Sequence, residues 1–163
     1  MSLPSCLRSV VDKAQIFVQL KPDSFQPLQA LAAWHQSLVS ELATMPAAES
    51  NFIGRVRPFG FNDAPLEALE LEYYPGMCEA QLRQLAESAA ASHNAIALLV
   101  WHRVGIVQAG DVIVLVGVLA NQRGQAQRCC QALLEALKHE APFWKKELLL
   151  DGSTSWVQGN TPF

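Results

Sequence analysis

The chain is poor in the features that most quickly assign a protein to a class. It has no glycine-rich phosphate loop of the GxGxxG or GxxxxGKS/T kind, no GxSxG and no HExxH. The signatures of dinucleotide, nucleotide-triphosphate, serine-hydrolase and zinc-protease sites are therefore missing, and a generic nucleotide-binding module has nothing to stand on. Its longest apolar run, Val112–Ala120, is nine residues with a glycine inside. A membrane-spanning helix needs roughly 20. Near the start, Asp12 and Lys13 interrupt before a signal-length apolar stretch forms. The expectation is a chain with no secretory peptide and a cytoplasmic location. Positive charge is also short. Twelve Lys/Arg stand against fifteen Asp/Glu, a net charge of −3, which argues against a general nucleic-acid binder. The four cysteines, Cys6, Cys78, Cys129 and Cys130, show no CxxC spacing. Two of them are neighbours, with no histidine cluster beside them. They read as small buried thiols rather than metal ligands, and no metal is expected.

What is present is enough for one packed domain. The 163 residues are 50% hydrophobic and 17% charged, which excludes a disordered linker. No repeat or linker divides the chain, so residues 1–163 read as a single domain. Ala14–Leu20 alternates like a short half-buried strand. Pro27 opens a helix whose apolar positions, Leu28, Leu31, Trp34, Leu38 and Leu42, carry it to Met45-Pro46. Asn51–Arg57 reads as a strand, Pro58–Pro65 as a mobile loop, and Leu66–Tyr74 as an antiparallel strand with one wet face. Glu79–His93 is a helix buried through Leu82, Leu85, Ala86 and Ala89. Ala95–His102 and Asp111–Ala120 are strands joined by a turn at Ala109-Gly110, the second covered on both faces. Arg123–Ala141 is a third helix, buried through Ala126, Cys130, Leu133 and Leu137 and stopped by Pro142. Glu147–Asp151 and Ser155–Gln158 form a closing hairpin. The fold class is α+β, with mostly antiparallel sheets and about three helices.

Four constellations carry possible chemistry. Arg55 and Arg57, flanking Val56 after Gly54, fall on one strand face. They suit a phosphate or carboxylate, or else pair with Glu70 or Glu72 on a solvated face. Gln122-Arg123 opens the third helix, where free N–H groups and an arginine make an anion site, or an ordinary exposed arginine. Lys138 lies in that helix's last turn, and Phe143-Trp144 precede Lys145, Lys146 and Glu147. An amine against an aromatic wall loses hydration, which lowers its pKa and frees it for nucleophilic or proton-transfer work. The same stretch also reads as a helix cap followed by a basic edge strand. His102-Arg103 reads as a satisfied, half-buried histidine at a strand end. Arg123 and Lys138 are fifteen residues apart, roughly 22 Å along a helix. One pocket cannot take both from the same chain, so a symmetric dimer is favoured in which each subunit contributes one end.

Gly54-Arg55-Val56-Arg57, Leu71 to Met77 (LEYYPGM), His102-Arg103-Val104-Gly105, Gly110 to Val114 with Val116-Gly117-Val118, and Lys138 followed by Ala141 to Glu147 (APFWKKE) occur together in order. As a set they resemble the large, catalytic subunit of molybdopterin synthase, from about residue 51 to 158, with residues 1–50 divergent. The resemblance implies an α/β-hammerhead-like fold and a central homodimer. Each large subunit would carry a small ubiquitin-like sulfur-carrier subunit, making a heterotetramer. The implied reaction transfers sulfur from that partner's C-terminal thiocarboxylate to cyclic pyranopterin monophosphate, forming the dithiolene of molybdopterin, a step of molybdenum cofactor biosynthesis. Neither a cofactor nor a metal is implied for this subunit, and neither nucleic acid nor membrane is an expected partner. By motif position Lys138 and Lys145 are the catalytic lysines. Arg55, Val56 and Arg57 line the substrate site, Arg123 holds the substrate's anionic group from the neighbouring subunit, and Lys146 and Glu147 complete the site. The family pattern has His-Arg where this chain has Gln122-Arg123. Glutamine donates hydrogen bonds but does not titrate near neutrality. A non-catalytic homologue that binds the ubiquitin-like partner or a phosphorylated metabolite is the competing expectation.

Overall fold

The computed structural model describes residues 13–158; Cys6 lies outside them. Eleven elements follow in order: β1 (Gln15–Lys21), α1 (Pro27–Val39), β2 (Ala48–Arg55), β3 (Leu66–Glu72), α2 (Met77–His93), β4 (Ala95–Arg103), β5 (Gly105–Gln108), β6 (Val112–Ala120), α3 (Arg123–Glu140), β7 (Trp144–Leu149) and β8 (Thr154–Trp156). They build two four-stranded sheets, ordered β1-β4-β6-β2 and β5-β3-β7-β8. Only β1 and β4 pair in parallel; the other pairs are antiparallel. The α+β class with three helices and mostly antiparallel pairing matches the sequence reading.

The first sheet is covered on both faces, as its apolar strands require. The α2 stripe Leu82, Ala86, Ala89 and Ala90 and the α3 stripe Cys129, Cys130, Leu133 and Leu137 pack on Leu98, Val100, Val116 and Val118. On the opposite face α1 sets Ala30, Leu31, Trp34 and Leu38 against Ala97, Leu99, Leu115 and Leu119. Period two along β4 and β6 thus splits their side chains between two helical layers. Gly117 is the point of closest approach: a Cβ there would stand 2.7 Å from the Trp34 ring. The second sheet has a smaller core of Val56, Leu66, Leu71 and Val107.

Four expectations are corrected. The first helix stops at Val39, not near Met45. Ser37 and Ser40 hydroxyls donate back to the carbonyls of Trp34 and Ser37, and the amides of Glu41 and Leu42 both turn back to the Leu38 carbonyl. Local side-chain bonds of this kind compete with helix continuation. Leu42 still packs beneath α1, which explains its helical spacing. Second, β4 and β6 do pair, but not through a simple turn. Gly105, with φ +72°, redirects the chain so that β5 leaves for the second sheet and pairs with β3. Third, the closing hairpin is β7 with β8, three residues earlier at its start than expected. Fourth, the Pro58–Pro65 loop is tied rather than free. Phe59 bridges Pro65, and the Gly60 amide donates to the Ala64 carbonyl at 2.9 Å.

Among the described residues, no helix is long and apolar enough to cross a membrane, and no His/Cys/Asp/Glu group is placed to hold a metal ion. Cys78, Cys129 and Cys130 are free, buried thiols. Burial, with neighbouring Cys130 adding to it, pushes Cys129 up to about 12, so it offers no thiolate near neutrality.

Candidate functional site

Helix α3 builds one wall of the site. Its buried stripe faces the first sheet; the adjoining stripe, Gln127, Cys130, Gln131, Leu134 and Lys138, follows helical spacing and faces a cavity of about 690 Å³. The other walls come from Ser50 to Phe52 on β2, Ile113 and Val114 on β6, His102 at the end of β4 and Lys145 on β7. Pro142 ends the helix geometry after Glu140, and β7 begins within four residues. That short connection brings Lys145 back beside Lys138. The register of β7 on β3, with Lys145 opposite Leu71, fixes where along the sheet the amine enters.

A second cavity, about 320 Å³, lies on the other side of the two lysines. Leu137, Phe143, Trp144, Trp156 and Val157 line it, together with Lys138 and Lys145 themselves. It continues along an exposed aromatic surface where Trp144 and Trp156 meet Tyr74 and Glu72. Tyr74 and Trp144 pack edge to face, centroids 5.5 Å apart. The two amines therefore stand where an apolar-walled chamber and an aromatic groove meet.

The electrostatics of Lys145 follow from that position. Burial lowers its pKa below the ordinary lysine value, and the nearby Lys138 ammonium lowers it further. Both effects disfavour a second positive charge in a partly dry space. This is the lowered pKa that the Phe143-Trp144 context predicts. His102 is more buried than expected. Its Nδ1 lies 2.7 Å from the Arg103 carbonyl oxygen, its ring stacks on Phe143 with centroids 4.4 Å apart, and burial above all pushes it down to about 4.

The remaining residues expected at the site are dispersed within this one chain. Lys146 alternates to the opposite face of β7, where its Nζ lies 3.4 Å from Glu70 Oε2 and 5.3 Å from the Trp156 ring centroid. The expected pairing of Glu70 with Arg55 or Arg57 is thus replaced by one with Lys146. Glu147 is back on the face of Lys145 but further along β7, outside the cavity lining, and accepts from the Phe61 amide at 3.1 Å. Its carboxylate also crowds Gly60, where a Cβ would stand 2.6 Å from Oε2. Val56 is buried in the second core, and its backbone N–H and C=O are engaged by Asp111 and Gly110. Arg55 and Arg57 are exposed on either side of it. β2 ends at Arg55 after a register shift at Gly54, so strand alternation does not carry through to Arg57. Arg55 reaches the Gly110 carbonyl at 3.4 Å. Gln122 precedes α3 as its N-cap, its backbone N–H donating to the Gln125 side-chain oxygen at 3.1 Å. Arg123 begins the helix at the end remote from Lys138 and does not line the cavity.

The sequence reading did not anticipate Phe52, Cys130 or Glu135 on the cavity wall. For Cys130 and Glu135 a signal existed, because they continue the α3 stripe beside the buried one. For Phe52 there was none, since its place depends on the pairing of β2 with β6.

Both the sequence and the fold have known relatives. The family described as "MoaE protein" matches residues 26–140, a span that takes in α1. A molybdopterin synthase catalytic subunit from Ralstonia nicotianae is 42% identical over 110 residues, covering 68% of this chain and 61% of the relative. One from Pseudomonas aeruginosa is 35% identical over 143 residues, covering 87% and 90%. Among solved structures, a molybdopterin biosynthesis MoaE protein from Burkholderia ambifaria superposes with a TM-score of 0.68 at 36% identity, covering 91% of each chain.

Proposed function

The chain belongs to the MoaE protein family of molybdopterin synthase catalytic subunits, and from that premise we propose how it transfers sulfur. The substrate, cyclic pyranopterin monophosphate, occupies the 690 Å³ chamber. The thiocarboxylated C-terminal tail of a small ubiquitin-like subunit enters through the groove of Tyr74, Trp144 and Trp156. An extended tail needs such a groove, with apolar walls for its side chains. The observation that carries this reading is that Lys138 and Lys145 line both spaces at their junction.

The chemistry follows from the two amines. Lys145, with its pKa lowered by burial and by Lys138, is the better placed to act uncharged. It takes a proton from the water that splits the thioester formed when the tail's sulfur bonds to the pterin. Lys138 supplies ammonium donors to the charge that develops as sulfur leaves the tail. In each transfer the thiocarboxylate sulfur bonds to a side-chain carbon of the pterin as that carbon's oxygen leaves, and water then splits the resulting thioester into the pterin thiolate and the tail carboxylate; two transfers complete one dithiolene. Arg55 and Arg57 supply the cationic rim. In a homodimer, Arg123 of the second subunit reaches the phosphate, which answers the roughly 22 Å between Arg123 and Lys138 on one helix. Gln122 beside it donates without titrating. Residues 1–163 act as one domain, in the cytoplasm, without a resident cofactor.

The test mixes the purified chain, the thiocarboxylated partner and the cyclic pterin, and measures dithiolene product. Lys145→Ala should lower the single-turnover rate by about a hundredfold or more. A rate unchanged by that substitution overturns the lysine assignment. No product from the wild-type chain, with tight partner binding intact, favours a non-catalytic homologue.

A further inference from the structure

His102 forms part of the inner wall of the larger cavity, and its ring is fixed on two sides. Stacking on Phe143, with planes 20° apart, sets the ring plane. The Nδ1 contact to the Arg103 carbonyl sets the tautomer. A carbonyl only accepts, so Nδ1 carries the hydrogen and Nε2 is a bare acceptor. No described residue bonds Nε2, and it is not among the sealed, unpartnered atoms. It therefore opens on the cavity that the ring lines. The titratable groups around it are Lys145 on β7 and Lys138, Glu135 and Cys130 on α3; β2 and β6 contribute Asn51, Phe52, Ile113 and Val114, none of them charged. Near neutral pH the ring is uncharged, because burial and Lys145 oppose its protonation. The amides on the cavity wall can turn to donate or accept. The imidazole is locked as an acceptor.

We propose that His102 is a specificity-determining substrate contact, its bare Nε2 accepting a hydrogen bond from a ring N–H of the pterin. The inference rests on the sulfur-transfer reading above and adds to it the recognition of the heterocycle. Arginines hold any phosphoester of suitable size; a buried, fixed acceptor discriminates against one that lacks the donor, because the acceptor would then be left unpaired. The reactive lysines are left to the sulfur chemistry.

Anaerobic titration calorimetry with cyclic pyranopterin monophosphate tests this on wild type, His102→Gln, His102→Asn and His102→Phe. Glutamine places an amide oxygen near the Nε2 position and should bind within about threefold of wild type. Asparagine falls short and phenylalanine keeps only the stack, so both should bind about tenfold or more weakly. Equal affinity in all four proteins overturns the contact. Equal losses in the glutamine and asparagine variants also overturn it, assigning the ring a packing role. If the phenylalanine variant does not fold, the glutamine and asparagine pair decides. A wild-type chain that binds no pterin overturns the functional reading together with this one, whereas wild-type binding that His102 variants leave untouched overturns this one alone.

Discussion

The burial of His102 sets the sign of the protein's response to acid at that position. An ordinary histidine titrates near 6.5, and here burial pushes the pKa down to about 4. Between those values the unfolded chain binds a proton that the folded chain refuses. Stability contributed by the uncharged ring is therefore present above pH 6.5 and is lost as the pH falls towards 4. The full difference corresponds to roughly 3 kcal/mol. Urea unfolding of wild type and His102→Gln at pH 7 and pH 4.5 should show the variant losing less stability on acidification. An equal loss in both proteins would contradict the assignment. The sequence marked His102 as half-buried and satisfied, which holds for Nδ1. That Nε2 opens on a cavity is not legible from neighbours in sequence, because Phe143 and Lys145 lie some forty residues further on.

At the scale of elements, the Pro58–Pro65 loop shows how one carboxylate orders a segment rich in turn formers. Composition alone reads that stretch as mobile, because proline, glycine and asparagine carry little helix or strand preference. Glu147 on β7 supplies the missing constraint: it accepts from the Phe61 amide and fills the space against Gly60. The register of β7 on β3, with Glu147 opposite Leu69, delivers that carboxylate from eighty-six residues away. Glu147→Ala should raise hydrogen–deuterium exchange in peptides spanning residues 59–65 and leave α3 unchanged, at a stability cost of about 1 kcal/mol. Exchange that does not rise would show the loop held by its own backbone bonds. Arg57 immediately precedes this loop, so the same variant should weaken anion binding more than it slows the chemical step. The helices themselves were legible, since Pro27, Pro142 and the buried stripes of α2 and α3 act locally. The end of α1 was not, because Leu42 keeps helical spacing while packing from a turn.

At the scale of the whole molecule, the separation of Arg123 from Lys138 along α3 makes a direct demand on assembly. If the neighbouring subunit supplies Arg123, the variants Arg123→Ala and Lys145→Ala are each inactive as homodimers. Their mixed dimer contains one site with both defects and one with neither. Random mixing in equal amounts should restore about a quarter of wild-type activity per subunit. No recovery after verified subunit exchange would place Arg123 outside the partner's site, and a strictly monomeric chain would remove the premise.

The chain's local chemistry was readable before any fold. The cationic residues of the final third, the proline that breaks α3, the aromatic pair ahead of Lys145 and the two-sided burial of β6 all act over a few residues, where spacing and side-chain type decide the outcome. Membership of the cavity was decided only by tertiary structure. Lys146 and Glu147 adjoin Lys145 in sequence, yet one pairs with Glu70 and the other holds a loop, while His102 and Phe52 join the lysines from distant strands. Strand alternation sends Lys146 to the face opposite Lys145, while Glu147 returns to the face of Lys145 but two residues further along β7, against the Gly60-Phe61 segment; the register between strands, set by packing over the whole sheet, determines which distant residues share a wall.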